Sequence, residues 1–494
     1  MTETFNLPPT PIDEYTLDNG LRVVLSPDRA IPVVSVAVYY DVGSRNEREG
    51  RTGFAHLFEH MMFQGSENVP KAAHFQYIFN AGGTMNGTTS TERTNYFQTL
   101  PSNYLPLAFW LESDRMRSLK VTQENLDNQR NAVQEEKRLR YDNQPYVGAF
   151  LRMNELIFKN PANAHSTIGS MEDLDAATID DVQEFFRIYY APNNAVMTVV
   201  GDFDNQEARE LVDKYFGNIP AQSKPPGVDV SEPEEVVSRE ETFHDQLAPA
   251  PAFVLGWKIP PRRTPDFYAI SLAGTLLFEG DSSRLYQKLV KGDESVISIE
   301  GGVDERRGPS ALYIFALPKP GEDVAKIRVQ IFDEINRLAN DGPTDAEMEK
   351  LRNALCNDAV RGRQSTMYRA QRLAEFALYD SDPTLVDSEL EHYLKVSAAD
   401  IKNVAARYMD VENRVVLDII PVPAAEQTAA APQPPGDPHQ PAAPPPLVPD
   451  KPAAEPESPV HASVTDIKTS SSEQPNDPAD VPPQTKSGTG PLHP

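Results

Sequence analysis

Apolar residues recur along this chain with two different periods. Leu21-Arg-Val-Val-Leu25 and Val33-Val-Ser-Val-Ala-Val-Tyr-Tyr40 are short runs rich in β-branched and aromatic residues, the pattern of strands. Gly53 to Phe63, Asn103 to Ser118, Thr122 to Tyr141 and Thr178 to Tyr190 place apolar residues three or four apart, the pattern of helices. Asn194-Ala-Val-Met-Thr-Val-Val-Gly201 then reads as a buried strand closing the unit. Met85 to Phe97, rich in Thr and aromatic residues, reads as one further strand.

The plan repeats. Ile179-Asp-Asp-Val-Gln-Glu-Phe-Phe-Arg-Ile-Tyr-Tyr190 with the strand from Asn194 is echoed by Asp400-Ile-Lys-Asn-Val-Ala-Ala-Arg-Tyr408 with the run from Asn413, 219 residues further on. Between the copies, residues 220–241 are rich in Pro and Glu, as an exposed linker requires. The pattern predicts an α+β protein of two duplicated domains, 1–219 and 242–423. From Ala424 the character changes: residues 424–494 hold 18 of the 45 prolines and too little apolar area to offset ordering entropy. We read that stretch as a disordered Pro/Ala-rich tail. A solvated extension fits its irregular spacing better than a Pro-rich ligand for a partner domain.

Charge narrows the function. With 46 Lys and Arg against 73 Asp and Glu, a net charge of −27 repels a phosphate backbone, so nucleic acid is not an expected partner. The one cysteine, Cys356, has no second thiol for a disulfide or thiolate cluster and reads as a packed residue. No run of eighteen apolar residues occurs and the N-terminus lacks a basic start with an apolar core. As written the chain reads as cytoplasmic, or periplasmic had a signal peptide been removed.

One cluster carries chemistry. In Gly53-Phe-Ala-His-Leu-Phe-Glu-His-Met-Met-Phe63, His56 and His60 lie four apart, so a helix projects both imidazoles from one face, and Glu59 shares it. Zinc in a catalytic site takes three protein ligands and leaves a fourth position open, so a further ligand is needed. The predicted helix from Thr122 to Tyr141 offers Glu135 and Glu136, whose directions differ by about 100°. Glu136 shares a stripe with Gln129, Ala132, Val133 and Leu139, the less charged face, while Glu135 groups with Asn128 and Asn131 toward water. Glu136 is therefore the expected third ligand.

These residues resemble the pitrilysin/insulinase family of zinc peptidases, the inverzincins with His-x-x-Glu-His. The likeness extends through Met61-Met-Phe-Gln-Gly-Ser66, Ala81-Gly-Gly-Thr-Met-Asn-Gly87, Val133-Gln-Glu-Glu136 and Tyr190-Ala-Pro-Asn-Asn-Ala195, over residues 15–420. It implies two domains, each a mostly antiparallel sheet packed with helices. It also implies one Zn2+ per chain on His56, His60 and Glu136, and Glu59 as base toward the attacking water. The substrate would be an unstructured peptide or leader segment, added as a strand along an edge where Asn86 is the contacting asparagine. Gly87 replaces the alanine that usually follows. Gln129 stands where the family has a glutamate behind the site, which implies weaker zinc affinity.

A second departure concerns the other domain. Complete enzymes of this family carry an Arg and, seven residues later, a Tyr that stabilise the tetrahedral intermediate. Within Ser282 to Ser298 those places hold Val290 and Ile297, and Arg284 is followed by Lys291 at that spacing. The resemblance is thus strongest to the zinc-bearing subunit of heterodimeric bacterial or mitochondrial-processing-peptidase-like enzymes. A metal-free homologous partner subunit supplying Arg and Tyr is expected in preference to a homodimer. The alternative is a non-catalytic structural or substrate-recognition subunit of the same fold.

Overall fold

The computed structural model describes residues 7–233 and 238–422. The tail expected from Ala424 onward lies outside the described residues, as do four positions of the expected linker, 234–237. Two sheets organise what remains. The first contains β1 (Asp13–Thr16), β2 (Arg22–Pro27), β3 (Val33–Tyr40), β4 (Thr84–Thr89), β5 (Thr94–Pro101) and β6 (Ala195–Gly201) in the order β1-β2-β6-β3-β5-β4. The second contains β7 (Arg239–Asp245), β8 (Ala252–Ile259), β9 (Val296–Asp304), β10 (Ser310–Pro318) and β11 (Val415–Pro421) in the order β7-β11-β8-β10-β9.

All neighbours are antiparallel except β2 with β6 and β7 with β11. Apart from β1, the sheets share one strand order and sense, β2-β6-β3-β5-β4 matching β7-β11-β8-β10-β9. The helix-then-strand echo has the same local grammar in both copies. Thr178 with Asp181, and Ser397 with Asp400, form capping boxes that satisfy the first amides of helices Ile179–Tyr189 and Ala398–Tyr408. A 3-10 turn follows each helix, Pro192–Asn194 and Val411–Asn413, and leads into β6 and β11. β7 begins at Arg239, inside the stretch read as linker.

The inner strands of each sheet are buried on both faces, which is why β2, β3 and β6 read as nearly continuous apolar runs. On one face of the first sheet, Val23, Val36, Val38 and Val199 join the core formed with Leu57, Phe58, Leu111 and Val182. Its other face is covered by a helix of the second half, Thr366–Asp380, through Ala370, Leu373, Ala374 and Ala377 against Val24, Ala37, Tyr39, Val196 and Val200. The exchange is mutual. Helix Val147–Ile157 of the first half lays Ala149, Phe150, Met153 and Ile157 on Val254, Leu417 and Ile419 of the second sheet. Gly256 in β8 permits that approach, since a Cβ there would stand 2.6 Å from Ile157 Cδ1 and 2.9 Å from Met153 Sδ.

The segment Met85 to Phe97, expected as one strand, is a hairpin. β4 runs along the sheet edge and β5 returns between β4 and β3. The turn is set by Ser90, whose Oγ accepts from the amides of Glu92 and Arg93 at 3.3 and 3.2 Å, a hydroxyl turn that alternation along the run does not disclose. No helix among the described residues is long and apolar enough to cross a membrane.

If the exchanged helices carry core energy, Leu373→Ala, fully buried, will cost about 2–5 kcal/mol, as much as Leu111→Ala inside the first core. Urea denaturation of both variants measures this. A loss below about 1 kcal/mol at Leu373 would show that the donated helix is merely laid on the sheet.

Candidate metal centre

Helix Phe54–Met61 buries Phe54, Ala55, Leu57, Phe58 and Met61, which leaves His56, Glu59 and His60 as its only partly exposed positions. Its start is held unusually firmly. Gly53 has φ 86°, and a Cβ there would meet the Ile168 carbonyl at 2.7 Å. The carboxylate of Glu47, with no exposed side-chain surface, accepts from the amides of Gly53 and Ala55, both at 2.8 Å. A negative charge at a helix N-terminus satisfies orphan donors and opposes the positive end of the dipole.

Behind Glu47 stands His165, with Nε2 2.9 Å from Glu47 Oε2 and Nδ1 2.5 Å from the Pro161 carbonyl. Both ring nitrogens face acceptors, an arrangement that favours the doubly protonated imidazolium. Burial would lower the His165 pKa, but the hydrogen bond and charge of Glu47 outweigh it and the net shift is upward. Burial also pushes the Glu47 carboxyl up, partly opposed by His165 and the two amides.

The third residue comes from helix Gln123–Lys137, capped by the Thr122 hydroxyl, which accepts from the Asn125 amide at 3.3 Å. Its buried positions are Asn125, Leu126, Val133 and Gln134. The inward stripe therefore differs from the expected one: Ala132 and Leu139 are exposed, Leu139 by 55%. The row of burial passes between Val133 and Gln134, and beyond Lys137 a π-helical turn, Arg138–Asp142, ends the regular helical spacing on which the expected stripe relied. Glu136 nevertheless points inward while Glu135 is exposed and pairs with Arg138 at 3.1 Å.

Glu136 Oε2 lies 3.1 Å from His60 Nε2 and 3.7 Å from His56 Nε2. One donor atom from each residue fits within a 4.8 Å span, and among the described residues this is the only such group of three. Burial would raise the Glu136 pKa, but the His60 hydrogen bond, both histidines and Arg140, 2.9 Å from Oε1, bring it down to about 2. Burial, aided by His60, lowers His56 to about 4. At neutral pH His56 thus keeps its lone pair and Glu136 its charge. Two imidazoles and a carboxylate gathered this closely fit zinc, and among the described residues no fourth ligating side chain joins the group. His56 Nδ1 is buried and has no acceptor, so neither Gln129 nor any other described group braces that ring.

Glu59 is the neighbour of this trio. Its Oε2 accepts from Thr89 Oγ1, at the end of β4, at 2.6 Å, and burial raises its pKa. Asn86 is exposed on the same strand and spends its Oδ1 on the Gly87 amide at 2.9 Å. Gly87 is buried beside the carboxylate: a Cβ there would lie 3.2 Å from Glu59 Cγ and 3.1 Å from the Tyr96 ring. In the second half Arg284 is committed to Glu347, Nε at 2.6 Å and Nη2 at 2.8 Å, and Ile297 is 51% exposed. Glu47, His165 and Thr89 escaped sequence reasoning, since none sits at a metal-ligand spacing.

A family model described as insulinase, peptidase family M16, matches residues 22–166, and one described as peptidase M16 inactive domain matches residues 176–355. The protein named zinc protease PqqE of Helicobacter pylori is 29% identical over 400 residues, 80% of this chain and 90% of the relative. The mitochondrial-processing peptidase subunit beta of Lentinula edodes is 23% identical over 411 residues, 80% of this chain and 86% of that subunit. The crystal structure of a protease from Helicobacter pylori superposes with a TM-score of 0.80 at 26% identity, covering 84% of this chain and all of the other.

The Glu47–His165 clamp predicts a pH signature. The folded pKa of His165 lies above the unfolded value of about 6.5, so its stabilisation is complete below that pH and is lost as pH rises through the folded pKa. The melting-temperature advantage of the wild type over His165→Gln will be widest near about pH 6 and narrow toward about pH 9. Circular dichroism measures it, and an unchanging gap would contradict the imidazolium.

Proposed function

The chain belongs to the insulinase family, peptidase family M16, and from that premise we propose that it is a zinc metalloendopeptidase that hydrolyses unstructured peptides or leader segments. The observation that carries this reading is the meeting of His56, His60 and Glu136 beside the carboxylate of Glu59. Zinc, when bound, supplies a Lewis acid for the peptide carbonyl and lowers the pKa of water. Glu59 takes the proton from the attacking water and delivers it to the leaving amine. The free edge of β4 offers main-chain donors and acceptors to an extended peptide, which binds many sequences because backbone pairing ignores side-chain identity. Asn86 is exposed on that edge for contact with the added strand.

The family model described as inactive begins at residue 176, past all four site residues, and so does not weigh against catalysis by the first half. Val290 and Ile297 leave the second half without the Arg and Tyr donors of complete enzymes, so a metal-free homologous subunit supplies them. That a relative is named as a subunit supports this part of the reading.

Glu59→Gln will keep one zinc per chain and lose about 10²–10⁴-fold in kcat, because an amide cannot accept the proton. The assay is cleavage of a quenched-fluorescence peptide, with metal content measured alongside and the partner co-expressed where the chain alone cleaves poorly. A zinc-loaded, fully active Gln variant would refute the role of Glu59. A second measurement concerns the charge missing at Gln129: Gln129→Glu will bind zinc about 10-fold more tightly, within the range found for outer partners of metal ligands. Equal affinities in competition with a chelator would remove Gln129 from the account of the metal.

A further inference from the structure

One turn of the second half grips the hairpin that carries Thr89. The turn between β9 and β10 holds Arg307, whose amide donates to Glu92 Oε2 at 2.9 Å. Its guanidinium donates through Nη2 to Asp41 Oδ1 at 2.6 Å and to the Glu92 carbonyl at 3.2 Å. The same guanidinium lies over the Tyr379 ring, 4.5 Å from its centroid. Glu92 belongs to the β4–β5 turn and is 4% exposed. Its other oxygen accepts from Arg45 Nη1 at 2.8 Å, and Arg45 Nη2 reaches Asp41 at 3.2 Å. Two arginines from different halves and two carboxylates thus form a closed, charge-balanced group.

The backbone of the turn is gripped as well. Ser44 and Arg45 donate their amides to the carbonyls of Ser90 and Thr91 at 3.2 and 3.0 Å. Gly43 makes this possible, as a Cβ there would stand 2.4 Å from the Ser90 carbonyl. Thr89 is the next residue back along the chain and pairs with Thr94 in the last rung of the hairpin. Beside Arg307, the guanidinium of Arg306, 3% exposed, anchors the clamping turn on the first half, donating to the Asn163 carbonyl at 2.7 Å and to Asn154 Oδ1 at 3.1 Å.

We propose that Arg307 is a positioning residue for the first half's site. By holding Glu92 it fixes the hairpin turn, and the turn places the Thr89 hydroxyl that aims the Glu59 carboxylate. The inference rests on the peptidase reading for its catalytic consequence and on geometry alone for the mechanical one. A carboxylate with free torsions loses rate when its angle drifts, and a displacement near 1 Å costs about 10²-fold. A buried carboxylate deprived of one of its cations is a strong enough disturbance to move the turn.

The experiment uses the full chain, with its partner where activity requires one. Arg307→Ala is expected to speed amide hydrogen exchange in residues 84–98 about 10-fold or more, leave exchange in β2 and β6 unchanged, keep zinc, and lower kcat about 10-fold with KM within about 2-fold. Thr89→Val is expected to lower kcat by about 10–10²-fold at unchanged zinc content, and Thr89→Ser to restore it to within about 3-fold. Should Arg307→Ala fail to fold, Arg307→Lys serves, since an ammonium cannot reproduce the fork between Asp41 and Glu92, and an intermediate loss is expected. Wild-type exchange of the hairpin in folded Arg307 variants would overturn the clamp. Faster exchange with an unaltered kcat, or Thr89→Ser no better than Thr89→Val, would overturn its link to Glu59. A wild-type protein that binds zinc and turns over no peptide would overturn the peptidase reading and the catalytic step with it, while the exchange measurement still decides the clamp.

Discussion

The side-by-side packing of two short helices, Phe54–Met61 and Gln123–Lys137, is the constraint on which everything at the site depends. Glu136 reaches both imidazoles only while the helices keep their spacing and rotation, and several contacts maintain them. Asn125 Nδ2 donates to the carbonyls of Gln64 and Lys120 at 3.3 and 3.0 Å, tying the start of the second helix to the chain that leaves the first. Arg130 donates to the carbonyls of Leu174 and Ala177 at 2.9 and 2.5 Å and pins its outer side. Glu47, buried and paired with His165, holds the opposite end of the first helix. Each of these bonds pairs a group that would be costly to leave buried and unmet, so the site's geometry is over-determined.

The two halves are joined by more than a linker. Each contributes a helix to the far face of the other's sheet, so separating them would expose Val24, Ala37 and Val200 on one side and Val254, Leu417 and Ile419 on the other. Neither sheet is complete without its counterpart. This explains how a half that carries none of His56, Glu59, His60 and Glu136 still shapes the site: its helix backs β3 and β6, and its Arg307 meets the hairpin beside Glu59. His56, His60 and Glu136 lie in one copy of the duplication, and the support comes from both.

Much of this was legible in the residues. The motif His56-Leu-Phe-Glu-His60 places two imidazoles and a carboxylate on one face through helical geometry alone, and the apolar positions between them show which face is turned away. The choice of Glu136 over Glu135 also followed from rotation along a helix, although Ala132 and Leu139 proved to lie outside the buried row. The hairpin at Ser90 was read as one strand because its turn depends on a hydroxyl accepting two amides, a feature that alternation does not record. Glu47, Thr89 and Arg307 left no periodic trace, since the side chains they meet, His165, Glu59 and Glu92, are 118, 30 and 215 residues away in the chain.

Local geometry is written in the residues: the helical face shared by His56, Glu59 and His60, the repeated helix-and-strand endings, and the chemistry of the donor set. These follow from periods of two and 3.6 residues and from side-chain type, which act over a few bonds. Folding of the whole chain is what brings Glu136 to 3.1 and 3.7 Å from the histidines, exchanges helices between the halves, and sets an arginine of one half on a turn of the other. Contacts between distant segments arise from packing the whole core at once, and no pattern within a single segment contains them.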